Sequence, residues 1–212
     1  NGKLVPFASS SIPLATLGTF ILWFGWFGFN VGSQLALAGF ENATAVATIY
    51  INTNLAACAG VMTCAVITRL VNGKTDVIMM LNGALGGLVA ITAEPLTPTP
   101  LMAIIIGSIG GIIVILGTQA LNKFQIDDVV GAIPVHLFAG IWGTLAVPLT
   151  NSGTSFGPQL LGTASICAFV FVVSFIVWSI MKATIGIRIS EEAEKEGTDI
   201  AETGVTAYAI RD

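Results

Sequence analysis

The chain has 212 residues, of which 54% are hydrophobic and 9% charged, and its formal net charge is −4. A soluble globular domain carries about 25% charged residues, so this chain, with a mean hydropathy of +0.88, cannot cover its own surface with polar groups. The acids gather in the tail and there is no basic patch, which argues against nucleic acid as a partner and leaves a polytopic membrane protein.

Apolar runs of about 17–25 residues cross a bilayer as helices. Open strands would leave backbone groups unpaired in lipid. About six such runs are present, near 13–34, 43–70, 76–93, 100–122, 130–149 and 158–183. The expected fold class is therefore all-α, with a transmembrane domain over residues 1–183 and a polar tail over 184–212. The first residue is Asn and no signal peptide is visible, so the chain reads as part of something longer.

The first run carries Trp23, Phe24, Trp26, Phe27 and Phe29. Trp26, Phe29 and Ser33 stand at i, i+3 and i+7 and share one helical face. Two aromatic rings and a hydroxyl can hold a small cation by cation–π attraction and a hydrogen bond. An interfacial aromatic belt or plain packing is the alternative, and spacing alone favours it.

The second run holds Tyr50, Asn52, Thr53 and Asn54, read as interhelical glue ahead of pore lining. The third and fourth runs are rich in glycine. Gly83/Gly87 and Gly107/Gly111, like Gly28/Gly32 in the first, are spaced for close helix contact. Glu94-Pro95, Pro98 and Pro100 mark a turn. Cys58, Cys64 and Cys167 lie inside apolar runs, match no zinc or redox spacing, and read as small packing residues.

The fifth run contains His136, the one histidine of the chain. A titratable ring in a stretch otherwise fit for lipid is a functional-site candidate. Asp127 and Asp128 stand where a helix is capped and its dipole met. Pro134 removes a backbone donor and leaves a carbonyl free, which should kink the helix two residues before the histidine. Beyond the sixth run, the segment SEEAEKE has the pattern of a short helix capped by Ser190.

Topology follows from the basic residues. With six spans, the amino terminus, the loops near 70–76 and 122–130, and the tail share one side. They contain Lys3, Arg69, Lys74, Lys123, Lys182, Arg188, Lys195 and Arg211, all of the Lys and Arg present. The loops near 35–42, 94–100 and 150–157 have none. The positive-inside rule then places the basic side and the tail in the cytoplasm.

Depth can be counted at about 1.5 Å per residue. Phe29 lies near the outer end of its run and His136 roughly 10 Å deeper in its own, by the same rise. An inorganic cation crossing such a lumen would need carbonyl or carboxylate rings to replace its water. Ammonium can instead be recruited as a cation, lose a proton, and pass as ammonia, with histidine as donor, acceptor or relay. This chemistry fits the residues without singling ammonium out.

The segments LWFGWFGFNVGS and DDVVGAIPVHLFAGIWGTLAV, together with the tail GIRISEEAEKEGTDIAETGVTAYA, resemble the ammonium transporter (Amt/Mep/Rh) family on its Amt side. The resemblance implies eleven helices in two inverted five-helix repeats plus a last long helix, assembled as homotrimers, with this chain corresponding to helices six to eleven. It implies that Trp26 and Ser33 stand in the external vestibule, that Phe29 is one of two stacked gate rings, that His136 is the second of a pair of pore histidines, and that Asp128 is a structural acid near the pore. It further implies ammonium/ammonia as substrate, no enzymatic reaction, no cofactor, no metal ligands, and a PII-type signalling protein as a possible partner of the tail. Two positions depart from the family pattern: Leu137 stands where Gly is common, and Gly131 where some members carry Asp. An ammonium-sensing receptor of the same family is the alternative function. A membrane redox subunit would need paired haem histidines, against the single histidine here.

Overall fold

The computed structural model describes residues 9–207. Lys3 and Arg211, which entered the charge reading, and the end of the tail lie outside the described residues. Among these there is no strand, and the fold is all-α. They form two compact units, Ser11–Leu161 and residues 162–207 with 9–10.

The helix starts in the first unit are written locally. Helix α1 (Ile12–Gly32) begins where the Ser11 hydroxyl accepts the Leu14 N–H at 3.3 Å, with proline in its first turn. Helix α2 (Phe40–Asn72) runs for 33 residues and stops at Gly73, whose φ of 71° ends it in the left-handed region. Asp76 caps α3 (Val77–Thr92), and Thr99 caps α4 (Pro100–Lys123). Next come a π turn (Ile133–Phe138), helix α5 (Ala139–Ala146) and a 3₁₀ turn (Val147–Leu149). Helices α1, α2, α4 and α6 (Phe156–Thr184) are long and apolar enough to cross a membrane; α3 and the segment Ile133–Leu149 are apolar but shorter.

Glycine sets how closely α2, α3 and α4 approach. A β-carbon on Gly60 would collide with the carbonyl oxygen of Gly83. One on Gly83 would meet the Gly60 oxygen at 2.6 Å and the Cys64 sulfur at 2.5 Å. Gly87 of α3 and Gly107 of α4 both press on the Ala56 carbonyl, and Gly111 lies over Gly60. In lipid, where there is no hydrophobic drive between helices, such contact supplies the van der Waals attraction that holds them together. Gly60 goes beyond the pairs read from sequence, as do Gly86 of α3 and Gly110 of α4, where a β-carbon on Gly110 would meet the Gly86 oxygen at 2.7 Å. Gly28 and Gly32 instead face open space within this chain.

The small-residue core of Ala56, Ala90, Ile91, Ala103, Ile106 and Ala146 continues this packing. Buried amides tie it together. Asn52 donates to the carbonyls of Pro95 (3.0 Å) and Pro98 (2.7 Å), pinning the turn between α3 and α4 onto α2. Asn30 of α1 donates to the Thr53 hydroxyl of α2 at 3.0 Å. These two residues of α2 act as glue, whereas Tyr50 and Asn54 are exposed.

The second unit holds most of α6 and the tail. Ser190 accepts the Ala193 N–H at 3.1 Å and caps α7 (Glu191–Glu196), the helix expected there. Arg188 reaches both carboxylate oxygens of Glu194, at 2.7 and 2.9 Å. The Asp199 carboxylate accepts the Ala207 N–H at 2.8 Å and is held below the ordinary aspartate value by that bond and by the backbone at Ile200.

Candidate functional site around the His136 turn

The turn that bears His136 is built from below. Asp128 caps it with both carboxylate oxygens: one accepts the N–H groups of Gly131 (3.1 Å) and Ala132 (2.9 Å), the other that of Ile133 (2.8 Å). Gly131 sits at φ +78°, a conformation that L residues with side chains rarely adopt. Pro134 stands in the first turn, where the first helical bond runs from the Val135 N–H to the Gly131 carbonyl at 3.2 Å, so its missing N–H breaks no bond of the turn. The Asn82 amide of α3 donates to the Val130 carbonyl, just ahead of the turn, at 3.1 Å.

Above the cap the backbone does not form an ordinary α-helix. Ile133–Phe138 is a π turn, and the Ala139 N–H reaches back to the carbonyl oxygens of Pro134 and His136. Single π turns recur at functional sites. Here the turn buries Pro134 and Val135 on one side and exposes His136 and Leu137 on the other. Gly117 of α4 makes the seat: a β-carbon there would come to 2.7 Å from the Phe138 ring and 3.0 Å from the Pro134 β-carbon. Trp142, further along, donates to the Ile106 carbonyl at 3.1 Å and fixes α5 on α4.

The aromatic residues of α1 form a separate group. Trp26 and Phe29 meet edge to face, with centroids 6.2 Å apart and planes at 75°. The Trp26 N–H donates to the Thr92 hydroxyl at 2.7 Å, which ties the indole to the end of α3. Phe29 is 62% exposed. With Ile21, Leu22 and Gly25 the pair lines an open apolar hollow of about 330 Å³. The Ser33 hydroxyl donates to the Phe29 carbonyl at 2.8 Å, within its own helix. The structure therefore brings Trp26 and Phe29 together, with Ser33 one turn on, and places His136 on a different element. Helix α3 links the two, since it packs against both α1 and the π turn.

Sequence reasoning missed Asn82, Gly117 and Thr92. The one available signal was the lone amide in the run MMLNGALGG, a polar group in need of a partner.

A profile described as the Ammonium Transporter Family matches residues 1–208. The chain belongs to that family. The ammonium transporter Amt2 of Archaeoglobus fulgidus is 42% identical to it, over 98% of this chain and 47% of that protein. The ammonium transporter of Bacillus subtilis is 37% identical, over 91% and 50%. Among solved structures, one titled Sensor Amt Protein superposes with a TM-score of 0.87 at 33% identity, covering 95% of this chain and 51% of that one. Candida albicans Mep2 gives 0.74 at 28%, covering 91% and 46%. This member of the ammonium transporter family thus spans about half the length of the curated relatives it matches. It is a multi-pass helical membrane protein.

Proposed function

We propose that the chain forms one half of a pore that carries ammonium across the cell membrane, the half that corresponds to the second inverted repeat. The observation that carries this reading is His136: an exposed imidazole on a capped turn, within an apolar member of the ammonium transporter family. Trp26, Phe29 and Ser33 would recruit NH4+ at the outer mouth, where rings and a hydroxyl partly replace its water. The cation passes one proton to the imidazole, which relays it inward, and ammonia moves on past the ring, whose two nitrogens serve as donor and acceptor. Leu137, 43% exposed beside it, keeps the path apolar. The segregation of Lys and Arg supports a cytoplasmic tail, residues 184–212. A homotrimer, and contact of the tail with a PII-type protein, belong to the same proposal.

The test is His136→Ala in the full-length protein, reconstituted in liposomes. Ammonium-evoked current should be abolished or altered, and unchanged current and selectivity would sink the central role. Phe29→Ala should change conduction more than folding.

An ammonium-sensing receptor is the second reading, favoured by the likeness to the structure titled Sensor Amt Protein. Ammonium uptake by the full-length protein separates the two, since a pure sensor binds without net flux.

A further inference from the structure

We propose that Asn82 and Gly117 are positioning residues for His136. Asn82 ties the Val130 carbonyl at the entry of the turn to α3, Gly117 provides the slot in which Pro134 and Phe138 seat, and together they set the direction of the imidazole. The inference rests on the pore reading of His136 above.

Three observations converge on Asn82. First, it is the one amide of the apolar helix α3, half-buried in its second turn. Second, its nitrogen meets the Val130 carbonyl, the last one ahead of Gly131, at 3.1 Å. Third, the amide lies against the bare α-carbon of Gly131, where an added β-carbon would come to 2.5 Å from the Asn82 nitrogen. The donor, its acceptor and the space beside Gly131 fit one another. The bond also spans two elements, so it holds the start of the π turn at a fixed height on α3.

Gly117 acts from α4. With the Pro134 β-carbon and the Phe138 ring both inside ordinary contact of a β-carbon at 117, even alanine must push the turn outward or rotate it. His136 lies between these two residues in sequence, so its ring must follow. Asp128 fixes the start of the same turn through three N–H bonds. The turn is thus held by its cap, by α3 and by α4, while its fourth side carries the histidine.

The experiment uses the full-length protein in lipid nanodiscs with ¹⁵N-labelled histidine. The His136 ring signals are identified by their loss in His136→Gln. In Asn82→Ala and in Gly117→Ala, those signals should move at fixed pH. The maximal rate of methylammonium uptake should fall by about tenfold to a hundredfold, the loss that a displacement of about 1 Å brings to a positioned group. The half-saturating concentration should stay within about twofold, because remote binding is untouched. A purely structural role would lower the yield of folded protein without moving the His136 signals of what remains. If Asn82→Ala does not fold, the same readings on Gly117→Ala and on Asn82→Gln, which keeps an amide donor, decide the matter. Folded variants with His136 signals and uptake like the parent would overturn the proposal. Normal uptake by His136→Gln would instead overturn the pore reading, while the ring-signal measurement would still judge the positioning role.

Discussion

The side chain of Asn82 donates at 3.1 Å to the carbonyl of Val130, 48 residues away in the chain, and so ties α3 to the backbone just ahead of the His136 turn. The bond is exposed, and a hydrogen bond of this kind contributes about 0.5–1.5 kcal/mol net. Asn82→Ala should therefore destabilise the full-length protein by that order. Thermal unfolding of parent and variant in detergent measures the loss, and an unchanged midpoint would show that the bond adds nothing to stability.

Asp128 accepts three backbone N–H groups at 2.8–3.1 Å and uses both oxygens to do so. Asp128→Ala should cost about 2 kcal/mol, the upper end for loss of a helix cap. Asp128→Asn keeps one acceptor oxygen and should cost less. Hydrogen exchange at Gly131, Ala132 and Ile133 should rise first, ahead of α4, and equal protection in the variant would refute the cap.

The glycine contacts predict a steep size limit. Gly107→Ala places a methyl against the Ala56 carbonyl, a backbone atom that cannot rotate away. Overpacking of this kind costs about 1–3 kcal/mol. Because Gly87 presses on the same carbonyl from α3, Gly87→Ala should cost a similar amount, and the pair should be non-additive. Thermal midpoints of the two single variants and the double variant test this.

The tail offers a pH signature. Asp199 is held below its ordinary value of 3.8, first by the Ala207 N–H and then by Ile200. A carboxylate whose folded value is depressed lends its stability fully above the ordinary value, and loses it as pH falls through the lower folded value. Exchange protection at the Ala207 amide should therefore hold down to about pH 4 and fade below it. Asp199→Asn should show weakened protection already at neutral pH. Protection independent of both changes would remove the carboxylate from the turn.

Much of this architecture could be read from the chain because its causes are local. The Ser190 cap needs only a hydroxyl ahead of an acidic turn, and Asp128 needs only its place before an apolar run. Gly83, Gly87, Gly107 and Gly111 announced close contact by their spacing. What the sequence does not carry is the identity of partners far along the chain. Pro134 was expected to free a carbonyl within the helix, but it stands in the first turn, where no helical bond is lost, and nothing near it named Asn82 as the partner of Val130. Trp26 was visible as an aromatic on a shared face, while its bond to Thr92 depends on how α1 lies on α3. The π register of the turn is likewise recorded by no periodicity in residues 133–138.

Gly131 has a consequence for how this family can vary. Its α-carbon is bare where the Asn82 amide lies, and its backbone occupies a region that side chains disfavour. A relative that carries a larger residue at 131 has no room for the amide in this pose, and must either shorten residue 82 or satisfy Val130 by another route. Positions 82 and 131 are thus coupled by direct contact, and chimaeras that exchange α3 without the turn should fail where block exchanges succeed.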